Sequence, residues 1–187
     1  MKKIALSCIL AIGLHGCAAV IIGAAATASA IVYDHRSLKT IYQDQKVAHQ
    51  AYQQLDKNPQ LKGCMFSVSS INRSVLLLGQ VKTSEQRLLA EKITRQVPLV
   101  KRIYNQIEIV KKISVWESTK DSFITTKVKT EMLGQKGLRS AQIKVVTADS
   151  NVYLMGLVNA QQASLAAQTV KKVSGVHKVV KLFEIGK

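Results

Sequence analysis

Two periods of hydrophobic and polar positions run through the chain. Val47, Ala48, Ala51 and Leu55 recur at the spacing of one helix face, and Asn58-Pro59 ends that run. Phe66 to Ile71 alternates with period two and predicts a strand. Asn72-Arg73-Ser74 predicts a turn, and Val75 to Val81 a second strand. Ser84 is placed to cap a helix carrying Leu88, Leu89, Ile93 and Val97, and Lys101 to Val110 makes a third strand. The order then recurs: a helix near 119–133, a strand at 142–148, a turn at Asp149-Ser150-Asn151, a strand at 152–158, a helix at 160–173 and a strand at 177–185. The pattern is αββαβ, twice. It predicts an α+β fold of two tandem units, each with its helices on one face of a small mixed sheet.

The recurrence also holds residue by residue. Val75-Leu76-Leu77-Leu78-Gly79-Gln80-Val81 matches Val152-Tyr153-Leu154-Met155-Gly156-Leu157-Val158, an offset of 77 at the glycines. Val97-Pro98-Leu99-Val100-Lys101-Arg102-Ile103 matches Val173-Ser174-Gly175-Val176-His177-Lys178-Val179 at an offset of 76, and Ile107-Glu108-Ile109 matches Phe183-Glu184-Ile185. Each unit is long enough to be a small domain rather than one turn of a solenoid.

The first residues read as an address. Lys2 and Lys3 are the only charges before Asp34, and Ile4 to Leu14 is an apolar run too short to cross a bilayer. Leu14-His15-Gly16-Cys17 follows and resembles a bacterial lipobox, with His15 an unusual occupant. That resemblance implies cleavage before Cys17, diacylglycerol on its sulfur and a fatty acyl group such as palmitate on its new amino group. Two or more acyl chains give stable anchoring. Ala18 rather than Asp after the cysteine implies delivery to the outer membrane. The alternative is an uncleaved transmembrane anchor, because Ile4 to Tyr33 is one charge-free stretch, but Ala18 to Ala30 is weakly apolar for a span. Removal of Cys8 with the signal and lipidation of Cys17 would leave Cys64 alone, a small, partly buried residue at a strand start.

The αββαβ order, a hydrophobic strand ending in Gly, and a later Gly-Val before basic residues and a strand together resemble the BON domain. Gly156-Leu157-Val158 and Ser174-Gly175-Val176-His177-Lys178-Val179 carry that motif. The first unit departs from it, with Pro98-Leu99-Val100 where Gly-Val is usual. A lipobox with two such domains is similar to the dual-BON outer-membrane lipoproteins. So is Asp121-Ser122-Phe123-Ile124-Thr125-Thr126-Lys127-Val128, which resembles the start of their second domain. The resemblance implies phospholipid binding, a part in envelope integrity, a periplasm-facing position and no enzymatic activity. The expected organisation is a signal peptide at 1–16, lipidated Cys17 and a tether at 17–45, a first BON domain at 46–112 and a second at 113–187.

Charge sharpens this picture. The chain of 187 residues carries 27 Lys and Arg against 11 Asp and Glu, a formal net charge of +16. The tether is neutral, whereas residues 46–112 carry +8 and residues 113–187 carry +6. Anionic partners follow, and each correctly facing Lys or Arg contributes ~1 kcal/mol at an anionic bilayer. Ser118 and Asp121 mark a helix start, and Ile124, Val128 and Met132 form its core stripe. Phe123 lies about 140° around the helix from Val128 at ~100° per residue, between Lys120 and Lys127. An aromatic ring off the core face with flanking lysines suits a membrane headgroup boundary. The candidate phospholipid-binding residues are therefore Phe123, Lys120, Lys127, Trp116 and Ile124, the last although it opens the core stripe. The first helix offers only Tyr52 as a comparable aromatic, so the first domain reads as a spacer or protein-binding module.

Other classes are weaker. Gly134-Gln135-Lys136-Gly137 is a GxxG of the kind that clamps nucleic-acid phosphates, but alone it is a weak signal, and no nucleic acid is expected for an exported lipoprotein. A periplasmic protein adaptor or chaperone-like module without direct lipid binding is the alternative. No hydrolase, zinc-protease, redox or P-loop motif is present, so no enzyme, cofactor or metal site is expected.

Overall fold

The computed structural model describes residues 37–114 and 118–186. Helix α1 spans Leu38–Asp56, opened by Ser37, whose hydroxyl accepts the Thr40 amide. Strands β1 (Met65–Ile71) and β2 (Ser74–Val81) form an antiparallel hairpin. Helix α2 (Ser84–Arg95) leads to β3 (Arg102–Ile109), which pairs parallel with β2. The second half repeats this with α3 (Ser118–Gly134), β4 (Lys144–Ala148), β5 (Asn151–Val158), α4 (Ala160–Lys171) and β6 (Lys178–Ile185). Each sheet has its middle strand second in sequence, antiparallel to the first and parallel to the third. The expected αββαβ order and mixed sheets are both present.

Several boundaries shift, each for a local reason. Residues 38–45, assigned from sequence to the tether, form the first turns of α1, so the first helix takes in residues ahead of 46. Asp44 explains this. Its buried carboxylate accepts from the Asn72 amide at 2.8 Å, the Arg73 amide at 2.9 Å and the Ser70 hydroxyl at 2.8 Å, tying α1 to the β1–β2 turn. Asp121 does the same one repeat later, accepting from the amides of Asp149 and Ser150 at 2.9 Å each. Both turns carry two consecutive residues at positive φ, Asn72-Arg73 and Asp149-Ser150, the twist that two-residue hairpins require. Helix α2 is capped by Thr83 rather than Ser84. Leu88 stands exposed, while Leu89, Ala90 and Ile93 face the core.

Gly79 and Gly156 are explained by crowding. A Cβ at Gly79 would lie 2.3 Å from the Met65 carbonyl oxygen, and one at Gly156 2.2 Å from that of Gln142. The neighbouring backbone leaves no room for a side chain there. The Pro98-Leu99 segment forms the same turn as its Gly counterpart: Leu99 sits at φ +73° where Gly175 sits at +92°.

Alternating strand residues sort the molecule into layers. Val75, Leu77 and Val81 of β2 pack under α1 and α2, while Leu76 and Leu78 point the other way. In β5, Val152, Leu154 and Val158 meet α3 and α4, while Tyr153 and Met155 point away. The residues pointing away share one cluster, in which Ile71, Leu76 and Leu78 meet Ala148, Tyr153 and Met155. The two sheets therefore stack face to face, giving the layer order helix, sheet, sheet, helix. Polar ties cross the junction: Lys144 Nζ donates to the Ser70 carbonyl at 2.9 Å, and the Ser74 hydroxyl donates to Glu184.

Candidate functional site

The site is built on the outer face of α3. Asp121, Ile124, Val128 and Met132 recur on its inner side and are buried. Phe123 stands on the other side and is 62% exposed. Lys127, one turn on, places its Nζ 4.6 Å from the centre of the Phe123 ring, a cation–π contact. The same Nζ donates to Ser174 Oγ at 3.0 Å, so the α4–β6 turn helps to hold the pair. That turn seats closely on the helix: a Cβ at Gly175 would lie 3.3 Å from Ile124. Lys120 is exposed on the same stripe as Phe123 and Lys127.

The outer face of α3 mixes apolar, hydroxyl and charged side chains. Phe123, the half-exposed Leu133 and the threonines Thr126 and Thr130 stand there beside the exposed Lys120, Lys129 and Glu131. Thr126 and Thr130 also turn their hydroxyl hydrogens back to the carbonyls of Ser122 and Thr126, at 3.0 Å each. The outer face is therefore less polar than its composition suggests.

Three of the five residues assigned from sequence to lipid contact, Lys120, Phe123 and Lys127, share this surface. Ile124 does not join it. It is 2% exposed and sits in the core with Val128, Val170 and Val173, because its position on the helix points inward. Trp116 and Cys17 lie outside the described residues. Ser174 belongs to the site although it is far away in sequence, and only the fold brings it to Lys127.

The GxxG segment is committed elsewhere. Gln162 Nε2 donates to the Gly137 carbonyl at 2.6 Å, while its Oε1 accepts from the Arg139 amide at 2.7 Å, binding the loop to α4. Cys64 is a free, half-buried thiol just before β1. Burial pushes its pKa up, with Lys82 pulling weakly the other way. Among the described residues no group of three or more His, Cys, Asp or Glu is placed to hold a metal ion, and no helix is long and apolar enough to cross a membrane.

A second exposed face was not expected from sequence. Because α1 begins at Leu38, it brings Leu38, Tyr42 and Tyr52 to one side, 86%, 69% and 45% exposed. Sequence reasoning stopped the helix short and so saw Tyr52 alone. Spacings of 4 and 14 residues from Leu38 are the signal that would have found the stripe.

Comparison with known families matches the BON domain at residues 43–111 and again at 120–187. The outer membrane lipoprotein DolP of Haemophilus influenzae is 34% identical over 185 residues, covering 98% of this chain and 96% of that protein. A 21 kDa hemolysin of Actinobacillus pleuropneumoniae is 33% identical over 150 residues, covering 80% of this chain and 77% of its own length. Among solved structures, the C-terminal domain of CdsD, a structural protein of the Chlamydia trachomatis type III secretion system, aligns over 77% of this chain and 67% of its own, at 19% identity and a TM-score of 0.31.

Proposed function

The chain belongs to the BON family as a two-domain, DolP-like outer-membrane lipoprotein, and from that premise we propose that it binds anionic phospholipid through α3 of its second domain. In this reading Cys17 carries the lipid anchor, the domains face the periplasm, and the protein supports envelope integrity without catalysing a reaction. The observation that carries the reading is Phe123, exposed under the ammonium of Lys127 on the outer side of α3, with Lys120 one turn back. At a headgroup boundary the ring inserts while Lys120 and Lys127 extend toward phosphate. The net positive charge of both domains draws the protein to such a surface.

The α1 stripe favours a second role for the first domain. It lies in the outer helix layer opposite α3, so a bilayer held by α3 leaves Leu38, Tyr42 and Tyr52 turned away from it. That face fits a protein partner in the envelope.

The test is vesicle flotation of the chain from Cys17 onward carrying Cys17→Ser, with α1 intact. Binding is expected to anionic but not zwitterionic vesicles, to weaken at high salt, and to fall about tenfold in Phe123→Ala, the loss of ~1.5 kcal/mol of aromatic burial. No flotation on any vesicle would refute the lipid reading and leave the acyl chains as the sole membrane contact.

A further inference from the structure

The two repeats finish their sheets differently. Strands β3 and β6 pair on one side only, with β2 and β5, so each leaves a free edge. Just past these strands, Val110 and Gly186 donate their amides to the carbonyls of Val81 and Val158. Backbone direction alternates along a strand. Asn105 and Ile107 of β3, and Lys181 and Phe183 of β6, therefore turn their N–H and C=O groups to the free edge.

In the first repeat that edge is plugged. Asn105 Oδ1 accepts from the Ile107 amide at 3.2 Å, and Asn105 Nδ2 donates to Glu91 Oε2 at 3.0 Å. Arg87 donates to the Asn105 carbonyl at 3.4 Å. An incoming strand would have to break these bonds, a means of keeping a sheet edge closed.

The second repeat lacks the plug. The offset of 76 that relates the helix caps Thr83 and Asn159 sets Ala163, Ala167 and Lys181 at the positions of Arg87, Glu91 and Asn105. A methyl group cannot reach the edge, and a lysine side chain offers no acceptor. Among the described residues, no side chain or loop bonds to the edge groups of Lys181 and Phe183. Helix α4 packs over β6 and α3 over β4, so this edge lies on the far side of the sheet from α3.

Charge selects the occupant. Lys181 is exposed, whereas Glu184, the one acid in β6, accepts from the Ser74 hydroxyl at the sheet junction. The second domain as a whole carries +6. A second copy would bring the same lysine and the same positive charge, and like charges set opposite each other destabilise a strand pair. An acidic strand is the complement. We propose that the free edge of β6 receives an extended segment of another envelope protein as a fourth strand, with an acidic residue opposite Lys181. Backbone bonds at Lys181 and Phe183 supply affinity, and the lysine side chain supplies choice.

The experiment titrates the chain from Cys17 onward, carrying Cys17→Ser, with a blocked octapeptide of alternating valine and threonine that has one central glutamate. Backbone amide NMR signals are followed. One control peptide has lysine in place of the glutamate, and another has proline in place of a central valine. The glutamate peptide is expected to give saturable shifts centred on Lys181 and Phe183, the lysine peptide to bind about fivefold more weakly, and the proline peptide to be silent. Lys181→Glu is expected to reverse the preference between the two charged peptides. The double variant Ala167→Glu, Lys181→Asn copies the plug of the first repeat and is expected to lose about tenfold in affinity. Arg87→Ala with Asn105→Ala removes that plug and is expected to add shifts at Ile107, a gain that a poorly folded variant would not give. No saturable shift at β6, or a preference that ignores Lys181→Glu, overturns the proposal. Concentration-dependent dimerisation of the unaltered chain in sedimentation, lost on plugging β6, overturns the partner strand in favour of a second copy.

Discussion

Leu99 holds a backbone angle that Gly175, its counterpart in the second repeat, holds without a side chain in the way. A non-glycine residue in the left-handed region costs ~1–2 kcal/mol, and glycine returns part of that through its freer unfolded chain. Leu99→Gly is therefore expected to stabilise the protein by about 0.5–1 kcal/mol, read as a higher Tm, because the exposed Leu99 side chain gives up little packing. An unchanged or lower Tm would mean that the leucine packs more than its exposure implies. Cys64 offers a second residue-scale test. Its thiol pKa is raised by burial, so thiolate is scarcer at neutral pH than for a free cysteine. With Cys17→Ser and the signal absent, alkylation of Cys64 is expected to reach half its maximal rate at a higher pH than a model thiol. Lys82→Gln is expected to move that midpoint higher still, since Lys82 favours the thiolate.

At the scale of elements, the two aspartates join helix to hairpin. Asp44 accepts from the amides of Asn72 and Arg73, and Asp121 from those of Asp149 and Ser150, in turns whose backbone leaves the ordinary right-handed region. Asp44→Ala would leave buried donors unmatched and is expected to cost about 2–3 kcal/mol, measured by urea denaturation. Asp44→Asn, which keeps acceptor capacity at one oxygen only, is expected to recover part of that loss. The same connection makes a prediction about truncation. A chain starting at Lys46 loses Asp44 and the first turns of α1, so it is expected to unfold at lower urea than one starting at Tyr33, although both keep every residue of the two sheets. Equal midpoints would show that residues 38–45 add nothing to the first domain. The buried stripe of Asp121, Ile124, Val128 and Met132 accounts for the packing of α3, so its own stability does not explain Phe123.

For the whole molecule, the junction between the sheets decides what each outer face can touch. Leu78 is buried, yet it points to the other sheet and not into its own domain core. Leu78→Asp therefore leaves each domain's helix-side core intact and places an unpaired charge only where the sheets meet. The expected result is two thermal transitions in place of one, with a larger radius of gyration by solution scattering, as an uncompensated buried charge costs several kcal/mol. One transition with an unchanged radius would show that the sheets tolerate the charge by local rearrangement.

Much of this molecule was legible in its sequence because the deciding physics is local. Period-two and helical spacings, the glycine motif and the 77-residue recurrence were enough for two αββαβ units and their core stripes. The placement of Phe123 off the core side of α3 followed from helical geometry alone. Other features needed the folded chain, because they depend on atoms distant in sequence. The start of α1 rests on Asp44 reaching a turn 28 residues away. The seating of the Gly175 turn against Ile124 comes only with the fold, and the hold of Ser174 on Lys127 spans 47 residues. The stacking of the sheets, which sets α1 and α3 on opposite sides, arises because each sheet carries apolar side chains on both faces. Alternation along a strand identifies two faces, but only tertiary packing decides which surface covers the second.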